Sequence, residues 1–346
     1  MNDVVVKPRI AWLTVNRSCN FRCRWCYAKG TKFNRNNVAN LDYAIRIALL
    51  IKELGIKELL IIGGEPTMWI HLLNFNKFCQ ENSIKTTIVT NAMRFGNDCF
   101  WEKYLSNPNT YGGISIKGYD KESLIKVSDV KNFDLTMKGL KRGIAFFKCG
   151  VSVVYNQLSS DELVDLASFA MECGAKSFSI SPCTPSIDGN WAESEFMVNP
   201  EIIVEKVVRD YQKLHSITKG FISFFMKLPL CIWPKDFIET LKKERQITTV
   251  CQLQQRAGII FDYDGNVMMC NGLFSYPIGK YGVDFHNKET FLDFINSHEV
   301  NEYYEKINSY PSTKCINCKM FKECCGGCPL LWTVYSPDSI IKGWGN

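Results

Sequence analysis

Short apolar and β-branched runs recur through the first half of the chain. Each closes on polar or glycine-rich residues, and stretches of helical period lie between them. Arg9 to Val15 predicts a strand running directly into Cys19. After a polar linker (34–40), Leu41, Ala44, Ile45, Ala48 and Leu49 recur at helical spacing and predict one apolar face. Glu58 to Ile62 reads as a strand apolar on both faces, the pattern of a buried parallel sheet, and ends in Gly63-Gly64-Glu65-Pro66. Further strands are predicted at Thr86–Val89, Tyr111–Ile116, Val151–Tyr155 and Ser177–Ile180. They lead into Thr90-Asn91, Lys117-Gly118, Asn156 and Ser181-Pro182-Cys183 respectively. Before the last of them, Leu163, Leu166, Ala167 and Ala170 form a helical face, with Ser159-x-x-Glu162 as its capping box and Gly174 as its stop.

Six strands alternating with helices predict an α/β fold in which right-handed crossovers curl a parallel sheet into a partial (β/α)6 TIM-like barrel. Residues at the C-terminal ends of such strands face the site. Farther on, 199–217 reads as a helix and 221–233 as an apolar segment. Two strands, 258–262 and 266–269, are joined by the turn Tyr263-Asp264-Gly265.

The length of 346 residues suggests two domains, placed at 1–220 and 221–346. Hydrophobic content of 46% and charged content of 22% describe a globular protein with a large core. No export signal is apparent, and the longest apolar stretch, Gly220 to Trp233, is shorter than the ~20 residues needed to span a bilayer. A cytoplasmic enzyme without membrane attachment is expected. Sixteen cysteines in such a chain argue for metal rather than disulfides. The net charge of +6 would be offset by metal-bound thiolates, and no basic, aromatic-interleaved groove points to nucleic acid. No P-loop, dinucleotide fingerprint or G-x-S-x-G elbow is present, and none of the four histidines (His71, His215, His286, His298) falls in a motif.

Cys19, Cys23 and Cys26 are spaced C-x3-C-x2-C, with Trp25 before the third. Three thiols are one short of a cubane [4Fe–4S] cluster and leave one iron open. A zinc knuckle or three buried thiols is the plainer reading. The loop resembles the signature of the radical S-adenosylmethionine (SAM) enzymes, and Gly63-Gly64-Glu65-Pro66 resembles the GGEP motif of the same family. The resemblance implies that the open iron holds SAM, that one electron cleaves it to a 5′-deoxyadenosyl radical, and that GGEP cradles the SAM amino group. It makes Trp25 a neighbour of the adenine. By position, Thr90, Asn91, Ser115, Lys117 and Asn156 are candidates for the SAM ribose and carboxylate, or are strand-end turn residues. Relatives often carry an acidic residue where Lys117 stands. Cys183 is the candidate catalytic residue, as a hydrogen-atom donor or a contact to a further cluster, the alternative being a small buried hydrophobe.

Cys251, Gly265 and Cys270, followed by Cys315-x2-Cys318-x5-Cys324-x3-Cys328, are similar to the SPASM extension of radical SAM enzymes. That resemblance implies one or two auxiliary [4Fe–4S] clusters. One would take Cys251, Cys270 and Cys328 with Cys231 as fourth ligand, the other Cys315, Cys318 and Cys324. The family pattern ends in a further cysteine that this chain lacks, so the second cluster is left to Asp338, Cys325, a ligand beyond Asn346 or nothing. Two structural zinc sites are the alternative.

Relatives of this kind mostly modify peptides. The expected activity is that of a peptide maturase acting on a ribosomally made precursor by crosslinking, oxidation or backbone excision. The rivals are a maturase of the anaerobic sulfatase-maturing type, a SPASM dehydrogenase of small molecules and a non-catalytic zinc-binding interaction protein. With about fifteen residues ahead of Cys19, a leader-binding module is expected as a separate partner protein. A reductant such as flavodoxin or ferredoxin is also expected.

Overall fold

The computed structural model describes residues 6–344, apart from 189, 190, 250 and 253 and from the side chains of 191–193. The six predicted strands form as β1 (Ile10–Thr14), β2 (Leu59–Ile62), β3 (Thr86–Thr90), β4 (Tyr111–Ser115), β5 (Val151–Tyr155) and β6 (Phe178–Pro182). They pair in chain order and all run parallel. β7 (Ser186–Asp188) and β8 (Trp191–Glu193) make a small separate hairpin. β9 (Ile222–Phe224) extends the sheet beside β6. On the opposite side β10 (Gly258–Phe261) lies parallel to β1, followed by the antiparallel β11 (Asn266–Met268) and β12 (Gly279–Lys280). The fold is thus a radical-barrel-like α/β sheet of ten strands, and the predicted hairpin of the cysteine-rich region is built into it.

The register aligns buried side chains in two runs. Phe261 pairs with Leu13, Leu13 with Ile61 and Ile61 with Ile88, while Val153 pairs with Ile180 and Ile180 with Phe224. Nearly all of these are fully buried. Each contributes about 1.5–3 kcal/mol by leaving water, which is why the strands read so clearly as apolar runs. Because the strands are parallel, their C-terminal ends lie along one edge of the sheet. The residues after β1, β2, β3, β4, β6 and β10 therefore share that edge.

Two helical expectations shift. The first helix, Leu41–Glu53, is capped by Asn40, whose side chain accepts from Tyr43 N. It buries Ala44, Ile47, Ala48, Leu50 and Ile51, so its inward face is rotated away from the exposed Leu49. The capping box at Ser159 and Glu162 does not form. Ser159 Oγ instead accepts from Asn156 Nδ2 (2.8 Å), and Glu162 pairs with Lys126 (2.9 Å). Gly174 does end the helix Leu163–Glu172, at φ +89°. The helix Pro200–Ile217 forms as expected behind Asn199. No helix among the described residues is long and apolar enough to cross a membrane.

Candidate functional site

The three-cysteine loop leaves β1 and is fastened to the turn after β2 as though the two strands continued. Gly64 N donates to Asn16 O and Glu65 N to Ser18 O (both 2.8 Å). The glycines are explained by this approach. A Cβ on Gly63 would lie 2.5 Å from Asn16 Oδ1, and one on Gly64 would lie 2.3 Å from Ser18 O. The sequence reading assigned the glycines to a close ligand, but in the structure the close neighbour is the cysteine loop itself.

Glu65 is buried (1% exposed) and is a hub. Its Oε1 accepts from Thr67 N (3.1 Å), Thr67 Oγ1 (2.7 Å) and Thr90 Oγ1 (2.6 Å), and its Oε2 from Asn91 N (2.9 Å). Burial pushes the Glu65 carboxyl up, against the pull of these bonds. Asn91 carries the network onward, its Nδ2 donating to Asn20 Oδ1 (2.8 Å) with Cys19 Sγ at 3.9 Å. Cys19 Sγ also accepts from Phe21 N at 3.3 Å.

Burial pushes all three loop thiols up, Cys23 to about 12. Lys117 acts in the opposite direction on Cys23 and Cys26. Half-buried thiols of this kind ionise when a cation joins them, and three thiols beside a lysine fit an iron–sulfur group. Lys117 donates to Ser115 Oγ and lies 5.7 Å from the centroid of the Trp25 ring. Trp25, Ser115, Lys117, Asn91 and the three cysteines are therefore brought together.

Asn156 is not left available in the same way. It is fully buried, and its Nδ2 donates to Val154 O and Ser159 Oγ (both 2.8 Å) while its Oδ1 accepts from Leu158 N (2.9 Å). This is the strand-end turn role that the sequence left open for it. Thr90 is likewise engaged, donating to Glu65 and accepting from Ala92 N (2.9 Å). Cys183 is buried after β6, where its N donates to Tyr155 O (2.7 Å).

Sequence reasoning missed Arg17, Asp262 and Asn16. Arg17 is 1% exposed and forms an ion pair with Asp262, at the end of β10. Burial disfavours the Arg17 charge, but Tyr27 and Asp262 outweigh it and hold the guanidinium above its usual value. Burial pushes the Asp262 carboxyl up, with Arg17 drawing it part-way back. Asn16 Nδ2 donates to Glu65 O (3.0 Å). No motif marks these residues. Their only sequence signal is a polar residue directly after an apolar strand.

The other cysteines form two groups. Cys231, Cys315, Cys318 and Cys324 line one cleft. Burial and the repulsion of neighbouring thiols, Cys231 among them, push Cys315 up and Cys324 up to about 11. Cys251, Cys270 and Cys328 form the second group, in which Cys270 is pushed up in part by Cys251, and Cys328 by both. This corrects the expected placement of Cys231, which sits with Cys315 rather than with Cys251. Cys325, one of the alternatives left open for the second cluster, neighbours Cys251 and is not among the residues lining the cleft. The chain reverses between Cys324 and Cys328 through three residues of positive φ, Cys325 (49°), Gly326 (70°) and Gly327 (85°), which lets cysteines four positions apart serve different groups. Among the described residues no three His, Cys, Asp or Glu side chains converge on a single ion.

Residues 13–170 match the family model described as the Radical SAM superfamily. This part of the chain is a radical SAM domain. It makes the chain an enzyme, and the superfamily implies a [4Fe–4S] cluster and SAM, with the later cysteines suited to auxiliary clusters. A probable GTP 3′,8-cyclase of Thermococcus kodakarensis is 23% identical over 170 residues, which are 47% of this chain and 53% of that protein. A GTP 3′,8-cyclase of Haemophilus influenzae is 24% identical over 148 residues, 41% of this chain and 42% of that one. The chain thus spans about half the length of such relatives. In fold it is similar to Streptococcus suis SuiB bound to precursor peptide SuiA, with a TM-score of 0.69 and 19% identity over 96% of this chain and 74% of SuiB. It is also similar to anSMEcpe with bound AdoMet and a peptide, with a TM-score of 0.61 and 16% identity over 93% and 89%.

Proposed function

We propose that the protein is a radical SAM peptide maturase of the SPASM type, with auxiliary iron–sulfur clusters held by the later cysteines. The observation that carries this reading is the pair of extra cysteine groups in a region whose β10 pairs with β1 and whose Asp262 grips Arg17 at the root of the three-cysteine loop. Iron–sulfur groups beside a radical site suit oxidative modification, because an electron must leave the substrate after hydrogen abstraction. The fold shared with two peptide-bound maturases over more than nine-tenths of the chain supports the same reading.

Cys19, Cys23 and Cys26 would hold the first cluster. Bound together, the cluster and SAM supply one-electron reductive cleavage of the sulfonium and with it a hydrogen-abstracting radical. Glu65, held rigid by Thr67, Thr90 and Asn91, keeps a carboxylate oxygen and the carbonyls of its turn in place for the SAM ammonium. Lys117 offers a cation to the SAM carboxylate, and the Trp25 ring a face to its purine. The cysteine-rich region extends from 221 onward, sharing the sheet with the barrel. A ribosomally made peptide is the substrate class, with a separate leader-binding protein and a flavodoxin- or ferredoxin-like reductant as partners.

The matching GTP 3′,8-cyclases favour a second reading, ring closure on a purine nucleotide. The reconstituted protein with dithionite and SAM separates the two. The maturase reading expects 5′-deoxyadenosine formation driven by a precursor peptide, and a peptide that has lost two hydrogens. GTP consumption with no peptide change would overturn it.

A further inference from the structure

We propose that Cys231 is the fourth ligand of the site formed by Cys315, Cys318 and Cys324. This rests on the iron–sulfur reading above and assigns one residue within it.

Cys231 lies in the short helical turn Leu230–Ile232, more than eighty positions ahead of the cysteines it joins. Two observations place it there. Its side chain lines the same cleft as Cys315, Cys318 and Cys324, with Pro229 and Leu230 on its own side and Phe321 across. The turn is also fastened to the cysteine run, because Leu230 N donates to Cys324 Sγ at 3.2 Å, setting the next residue beside that thiol. The competing ligands are less well placed, although Asp338 is near enough to push the Cys315 thiol up. Asp338 Oδ1 accepts from Ser312 Oγ (2.6 Å) and does not line the cleft. Cys325 is likewise absent from the cleft wall and neighbours Cys251.

Four thiolates saturate the four irons of a cubane, one each. The second auxiliary site is then closed, with no iron left for a substrate atom, and its role is electron transfer or structural support. The ligand set also joins the segment leaving β9 to the C-terminal cysteines, so the cluster would be assembled from both ends of the cysteine-rich region.

The test uses the full chain, reconstituted anaerobically, with iron and sulfide per chain and the EPR spectrum of the reduced protein as readouts. Cys231→Ala is expected to lose about four irons, or to give a [3Fe–4S] signal on brief oxidation. In a background carrying Cys315→Ala, Cys318→Ala and Cys324→Ala, adding Cys231→Ala is expected to remove no further iron. Cys231→Asp, an oxygen ligand that guards against a folding defect of the alanine variant, is expected to keep the iron and shift only the signal missing from that background. Wild-type iron and spectra in Cys231→Ala would overturn the proposal. So would a further loss of about four irons in the triple-alanine background, which would place Cys231 with Cys251. A wild-type chain that takes up no iron would overturn the iron–sulfur reading itself, and the proposal with it.

Discussion

Arg17 and Asp262, 245 positions apart in sequence, meet as a buried ion pair between the root of the three-cysteine loop and the end of β10. Two charges out of water are stable only as a pair. Arg17→Met, which strands the carboxylate, is expected to cost about 3–5 kcal/mol in urea unfolding of the metal-free chain. The double variant Arg17→Met with Asp262→Leu should cost less than the sum of the two single ones. Strict additivity would show that the pair does not couple.

Gly64→Ala tests the seam between the loop and the second strand's turn. The new Cβ would lie 2.3 Å from Ser18 O and 2.5 Å from Arg17 O, and backbone atoms cannot rotate aside. A loss of about 1–3 kcal/mol is expected, together with iron loss from the three-cysteine loop. Gly174→Ala is the control. It meets nothing within 4 Å and strains only its own φ of +89°, so it should cost about 1–2 kcal/mol and leave iron content unchanged.

Lys117→Met and Asn156→Ala should separate binding from folding. Lys117 faces Trp25 and the cysteine loop, so its loss should weaken SAM binding about 10- to 100-fold, the worth of a charge-assisted hydrogen bond. Asn156 is consumed by its turn, and its loss should lower stability by about 1–3 kcal/mol with SAM affinity nearly unchanged. Titration calorimetry beside urea unfolding reads both.

Glu65 gives a pH dependence with a definite sign. Burial raises its folded pKa, so the folded chain holds that proton more tightly than the unfolded chain does. The stability it contributes is complete below its unfolded value and is lost as pH rises through the folded one. Glu65→Gln removes the titration. In the metal-free chain the stability of the Gln variant relative to wild type should climb with pH across that window, and a flat or falling difference would contradict the raised pKa.

The strands were legible because each is short, apolar and closed by punctuation, and a row such as Leu13, Ile61 and Ile88 has nowhere to go but inward. The three-cysteine loop was legible for a different reason, since its ligands are neighbours in sequence. Where a site is assembled from distant segments, spacing carries no such information. Cys231 lies 20 residues from Cys251 yet packs with Cys315, and nothing local to Arg17 points to Asp262. Gly63 and Gly64 were recognised as functional positions, but what presses on them is another stretch of backbone. Asn91 and Asn156 look alike as strand-end asparagines. Each accepts from the backbone N two residues on, and only the Nδ2 donor separates them, reaching Asn20 beside Cys19 from Asn91 but Val154 O and Ser159 Oγ from Asn156.

The pairing of β10 with β1 has a consequence for how the protein is made. β1 leaves the ribosome ahead of the other strands described, and one of its sides finds β2 early. Its other side waits for residues 258–261, a delay on the order of tens of seconds at ~5–20 residues per second. Throughout that interval the nascent chain presents an unpaired apolar ribbon open to any passing strand. A gene truncated before β10 would make that interval permanent, and its product should accumulate as inclusion bodies rather than as a smaller working barrel.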